Sequence, residues 1–227
     1  MARPVLINQL LPIKFFGVIP LFIGVEIILG ITILNKASGL YGILSLFTGH
    51  PINFWQWLYN LLSLITLPVY ASALINLKVK PKNLRKTSLA TIVYVLDTLI
   101  GSLFTLYFIY FWFSLEDGSV KSEGQDATVG ATSQSASPAR ELSITISTTI
   151  VVTVVRFYFT LVMISFTKAL LKQNSMELRY NANQNDQPPP DPEEEELMNA
   201  EGFSGEFRKA LFDLETRSKE YLNELFS

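Results

Sequence analysis

Four stretches of this chain stay apolar for 20 residues or more: about 15–34, 52–77, 88–113 and 142–171. At ~1.5 Å rise per residue, 20 residues of α-helix cover the ~30 Å hydrocarbon core of a bilayer. In that solvent every backbone N–H and C=O must be satisfied inside its own segment, which leaves helices as the form such stretches take. The expected fold is all-α: a four-span transmembrane helical bundle.

Three of the four stretches carry a charge near their middle: Glu26, Asp97 and Arg156. An ionisable group at the bilayer centre costs at least ~2.5–3.5 kcal/mol, so it faces protein or water instead of lipid. Counted from the start of each stretch, Glu26 is ~16 Å deep and Asp97 ~14 Å deep, while Arg156 sits at comparable depth in the fourth. Because the arginine fork accepts carboxylates from two sides, the three residues are expected to form an intramembrane polar cluster or a contact with another subunit. The competing reading is a small proton-coupled or lipid-handling transporter in which Glu26 alternates between proton and cargo. An arginine beside that carboxylate would quench it, which favours assembly.

Charge also sets the orientation. The segment from Lys78 to Thr87 holds five basic residues and no acid, and a short loop of that kind lies on the cytoplasmic side. Arg3 and Lys14 before the first stretch, and Lys168, Lys172 and Arg179 at the end of the fourth, then fall on the same side. Both termini are expected to be cytoplasmic. The apolar run at the start is too long for a cleaved signal peptide and lacks a small-residue cleavage site, so it reads as an anchor.

Residues 1–14 form a cytoplasmic segment and 15–172 the membrane domain. Residues 173–204, with Pro188–Pro190 and Glu193–Glu196, read as an acidic, partly disordered linker. Residues 205–227 close the chain as an amphipathic helix, with Phe207, Leu211, Leu214, Tyr221 and Leu225 on one face. Residues 1–180 carry 14 Lys and Arg against 8 Asp and Glu, whereas 181–227 carry 4 against 12, a split that marks an appended tail. Nothing in that distribution suggests nucleic-acid binding. The non-cytoplasmic loop 35–51 is apolar enough to lie in the interface, and the Gly-, Ser- and Thr-rich loop 114–141 is expected to be flexible.

The chain has no cysteine and one histidine, His50. Disulfides, thiolate catalysis, cysteine-ligated metals and chemistry needing two histidines are excluded. No catalytic, metal or cofactor site is expected. Gly49, His50 and Pro51, with Trp57 just beyond, form a short motif at the non-cytoplasmic interface, where aromatic residues favour the boundary.

The run Val25–Lys36, followed by Ser38–Leu44 and Leu46–Pro51, closely resembles the fungal regulatory subunit of inositol phosphorylceramide synthase. Phe54, Gln56-Trp57, Asp97-Thr98, Trp112–Asp117, Arg156–Phe159, Ser165-Phe166 and Leu170-Leu171 continue the likeness in order, over about residues 15–117 and 150–172. The resemblance implies a multi-pass protein of the Golgi membrane that is not itself an enzyme. Its implied partner is a separate catalytic subunit, similar to lipid phosphatases, that transfers phosphoinositol from phosphatidylinositol to ceramide. Membrane lipids are the other implied partners. The loop 114–141 and the acidic tail depart from the family pattern. A trafficking adaptor acting through the tail is a third reading.

Overall fold

The computed structural model describes residues 11–40, 42, 44, 54–79, 83–122, 138–183, 196–197 and 202–226. These form five α-helices: α1 (Leu21–Ala37), α2 (Phe54–Lys78), α3 (Leu84–Ser122), α4 (Pro138–Asn183) and α5 (Gly202–Phe226). Among the described residues the fold is all-α, and the one bridge between extended residues joins Phe15 to Ile19. Three helices are long and apolar enough to cross a membrane, within Phe54–Lys78, Leu84–Phe111 and Arg140–Tyr180. α1 has 17 residues, ~26 Å of helix, and residues 39, 40, 42 and 44 beyond it are helical as well.

The chain divides into two compact units, residues 1–94 with 160–227, and residues 95–159. The first is built on α1 packed antiparallel to α2. Val25, Ile28 and Leu29 of α1, Tyr70, Ala73 and Leu77 of α2, Leu89 and Ala90 of α3, and Val162 and Met163 of α4 are its buried apolar core. Small residues let the backbones approach: a Cβ on Gly39 would meet Ser63 Cβ at 3.2 Å, and one on Gly42 would fall on the Asn60 carboxamide. At the same end Lys36, 2% exposed, places its ammonium 5.5 Å from the Tyr59 ring centre.

The turn between α2 and α3 is tied by side-chain amides. Asn76 donates to Asn83 O at 2.7 Å and accepts from Asn83 N–H at 2.9 Å. Asn83 in turn accepts from Arg85 N–H at 3.0 Å, the bond expected of an asparagine N-cap. Further in, Thr91 of α3 and Thr167 of α4 share a buried 2.7 Å hydroxyl hydrogen bond. The Tyr70 and Tyr94 rings meet edge to face, 6.2 Å between centres.

The first helix does not begin where hydropathy places it. Residues 15–19 make a tight turn, with Phe15 N–H donating to Ile19 O at 2.8 Å and positive φ at Phe16 (48°) and Gly17 (76°). Pro20 precedes Leu21 as the N-cap of α1, so the proline starts the helix instead of kinking it. The turn folds the Phe15 ring over Gly24, where a Cβ would lie 2.5 Å from Phe15 Cγ. Ser165 fixes the preceding segment by donating to Pro12 O at 2.7 Å.

The second unit consists of the remaining lengths of α3 and α4. Leu96, Leu99, Leu103, Leu106 and Tyr110 are exposed at three- and four-residue spacing, an apolar line along α3. α4 is exposed over most of its circumference here, including Ile144, Ile150, Val151 and Val154. Two boundaries differ from expectation. Helix continues through Ser122 and resumes at Pro138, so both ends of the stretch expected as a loop over 114–141 are helical, and residues 123–137 lie outside the described residues. α4 likewise runs to Asn183, eleven residues into the expected linker. The remaining linker residues 184–195 and 198–201 lie outside the described residues.

Candidate functional site

Glu26 stands in the second turn of α1 and its carboxylate faces the end of α2. Lys78 Nζ lies 3.3 Å from Glu26 Oε1, with the lysine side chain 69% exposed and the glutamate 35%. The pairing follows from the antiparallel packing of α1 and α2, which brings the start of one helix beside the end of the other. It also revises the depth read from the sequence. Because the helix begins at Leu21, Glu26 lies only ~7.5 Å along it, at the lysine-bearing end of the unit. An exposed pair of this kind contributes ~0–1 kcal/mol in water. Here it satisfies the one carboxylate of α1.

Asp97 on α3 and Arg156 on α4 belong to the second unit. Both are half-buried, and each has an interaction partner. Arg156 continues a line of hydroxyls on α4, Thr145, Thr149 and Thr153, at four-, four- and three-residue spacing, which places all four on one face. Thr160 and Thr167 keep to the same spacing further along. Thr145 and Thr149 also line a groove with Thr105, Phe108, Ile109, Phe113 and Glu141. The line of threonines was visible as a 3–4 pattern in the sequence, masked by the isoleucines and valines between them. Hydroxyls on an apolar helix are groups that bond across helix contacts within a membrane.

Trp57 sits in the first turn of α2, half-buried, its ring stacked at 6.3 Å on that of Phe54. The rest of the interface motif, Gly49, His50 and Pro51, lies outside the described residues. Lys78 was legible only as one of five loop charges, since 52 residues separate it from Glu26.

α5 packs against the ends of α3 and α4 by a face different from the one its leading hydrophobic period suggests. The Arg85 guanidinium stacks on the Phe212 ring at 4.2 Å, and the Lys168 ammonium lies 5.6 Å from the Phe226 ring centre. Leu222, Glu215 and Ser218 are buried on or beside that face. Phe207, Leu214, Tyr221 and Leu225, the apolar face read from the sequence, are exposed.

A family model described as "Inositolphosphorylceramide synthase subunit Kei1" matches residues 14–139 and 118–174. The chain belongs to this family. Glu26, Lys78, Asp97 and Arg156 all fall within the match, and α5 lies beyond it. The inositol phosphorylceramide synthase regulatory subunit KEI1 of Saccharomyces cerevisiae is 41% identical over 175 residues, covering 71% of this chain and 78% of the relative. The regulatory subunit kei1 of Schizosaccharomyces pombe is 32% identical over 162 residues, covering 70% of this chain and 67% of that protein. No solved structure gives a significant match.

Proposed function

We propose that this chain is a non-catalytic, regulatory subunit of inositol phosphorylceramide synthase. In that role it binds and supports a separate catalytic subunit that transfers phosphoinositol from phosphatidylinositol to ceramide. The observation that carries the reading is family membership across residues 14–174, together with 41% identity to a relative named as that subunit.

The protein crosses the Golgi membrane four times with both termini in the cytoplasm. Three helices of sufficient length, and the helical residues 39, 40, 42 and 44 beyond α1, support four spans. Lys78, Arg85, Lys168 and Lys172, at the ends of α2 and α3 and on α4, support the orientation. Asp97 and Arg156 form part of the contact with the catalytic subunit, with the threonine line of α4 completing it. The helix surface exposed around Ile144–Val155 is shared between lipid and that partner. The Glu26–Lys78 pair orients the first two spans, and the Gly49–Pro51 motif with Trp57 lies at the opposite interface.

The Glu26–Lys78 geometry weighs against the transporter reading, since the carboxylate on which that reading depended stands at a helix end beside a lysine. Affinity purification of the tagged protein in mild detergent tests the assembly. The catalytic subunit is expected to co-purify, and a preparation that contains neither it nor transferase activity contradicts the proposal.

A further inference from the structure

α5 has two apolar faces, and among the described residues only one is occupied. Phe212, Leu222 and Phe226 lie toward the ends of α3 and α4, with Arg85 and Lys168 against the two rings. The other face presents Phe207, Leu214, Tyr221 and Leu225, at seven-, seven- and four-residue spacing, one side of a coiled-coil seam, while Leu211 is half-buried and Ser218 buried at its border with the packed face. Phe207 is 65% exposed, Leu214 51%, Tyr221 60% and Leu225 46%. Ser218 interrupts the seam, but its hydroxyl donates to Leu214 O at 2.7 Å and leaves no unmet donor.

Charge identifies what fits this seam. Its open flank carries Glu206, Asp213, Glu220 and Glu224 against one arginine, Arg217, which is engaged with Asp213 at 2.9 Å. Lys209, half-buried, stands one turn before Asp213, so the flank holds four acids against two bases. Amphipathic helices that lie on the cytoplasmic leaflet flank their apolar face with lysine and arginine, because the lipids there are anionic. The flank of α5 has the opposite sign and is repelled by such a surface. A second copy of α5 would set acid against acid if aligned in parallel. A basic helix meets both demands, covering the apolar seam and facing the acids.

We propose that the Phe207–Leu225 face of α5 docks a helix of a partner protein that bears an apolar heptad seam flanked by lysine or arginine. The chain's lack of cysteine makes the test direct. Ala210→Cys, on the exposed edge of the seam, is labelled with an environment-sensitive fluorophore in the full-length protein held in neutral-lipid nanodiscs. Two synthetic helical peptides with the same leucine seam, one flanked by lysine and one by glutamate, are titrated against it.

The lysine peptide is expected to bind, with affinity falling roughly tenfold at high salt. The glutamate peptide is expected to leave the label unchanged. The triple variant Phe207→Ser/Leu214→Ser/Tyr221→Ser, which spares Phe212 and Phe226, is expected to lose the response. Equal binding of both peptides, binding of neither, or an unaltered response in the triple variant overturns the proposal. So does a label that becomes buried on addition of anionic vesicles alone, which assigns the face to lipid. A label buried by concentration-dependent self-association assigns it to a second copy and overturns the proposal equally.

Discussion

Lys78, the last residue of α2, reaches across to a carboxylate in the second turn of α1, its Nζ 3.3 Å from Glu26 Oε1. The contact records how α1 and α2 pack: antiparallel, with the start of one against the end of the other. Both side chains retain solvent exposure, so the pair is a register mark and not a deeply buried ion pair. A double-mutant cycle with Glu26→Gln and Lys78→Met is expected to show a coupling of ~0.2–1 kcal/mol in detergent unfolding. The exchanged pair Glu26→Lys/Lys78→Glu should recover most of the loss. Strict additivity of the single variants would remove the pair from the account.

The turn between α2 and α3 depends on one buried amide. Asn76→Ala deletes the acceptor of Asn83 N–H and the donor to Asn83 O together, leaving backbone groups to find water or remain unmet. A loss of ~1–3 kcal/mol is expected. Asn76→Asp keeps the acceptor and loses the donor, so it should fall between the alanine variant and the parent. Thermal unfolding of the three proteins in one detergent ranks them.

Two glycines on α1 are expected to respond oppositely to the same change. A methyl at Gly24 collides with the Phe15 ring, whereas one at Gly30 meets nothing within 4 Å. Gly24→Ala should cost ~1–3 kcal/mol through displacement of Phe15 from its buried seat. Gly30→Ala should be neutral or gain up to ~1 kcal/mol from helix propensity. Comparable Tm values for both would show that the turn over residues 15–19 does not hold Phe15 on α1.

The longer helices were legible in the sequence because an apolar run of membrane length is a strong, local signal. The bodies of α2, α3 and α4 stand where the apolar runs place them. The start of α1 does not, since Pro20 reads as a kink inside the apolar run but stands as the N-cap, and the positive φ of Phe16 leaves no trace in hydropathy. The helical turns from Ser114 to Ser122 were hidden by composition. In α5 the 3–4 period was plain, but Phe212 and Phe226 lie off that line and anchor the opposite face. The partner of Glu26 was the least legible element, because tertiary packing alone brings Lys78 to it. Asp97 and Arg156 were conspicuous as charges in apolar runs, while the threonine line beside Arg156 was diluted by the β-branched residues around it.

The proposed orientation makes a separate expectation for labelling. In sealed Golgi vesicles with the cytoplasmic face outward, Asn185→Cys should react with an impermeant maleimide at once. Ser133→Cys should react only after detergent is added. The reverse pattern would invert the topology.

Subunit contact through the second unit predicts that Arg156→Leu lowers recovery of the catalytic subunit severalfold, while Lys82→Ala in the basic loop leaves it near the parental level. Quantitative co-purification at matched expression distinguishes them. Equal recovery from the two variants would remove Arg156 from the interface.

The most direct test of the regulatory role is reconstitution. Liposomes containing phosphatidylinositol and fluorescent ceramide receive this chain alone, the catalytic subunit alone, or both, and phosphoinositol transfer is followed by product formation. The account predicts no product from this chain alone and more from the pair than from the catalytic subunit alone. Product formed by this chain alone, or a rate from the pair no higher than that of the catalytic subunit alone, would contradict it.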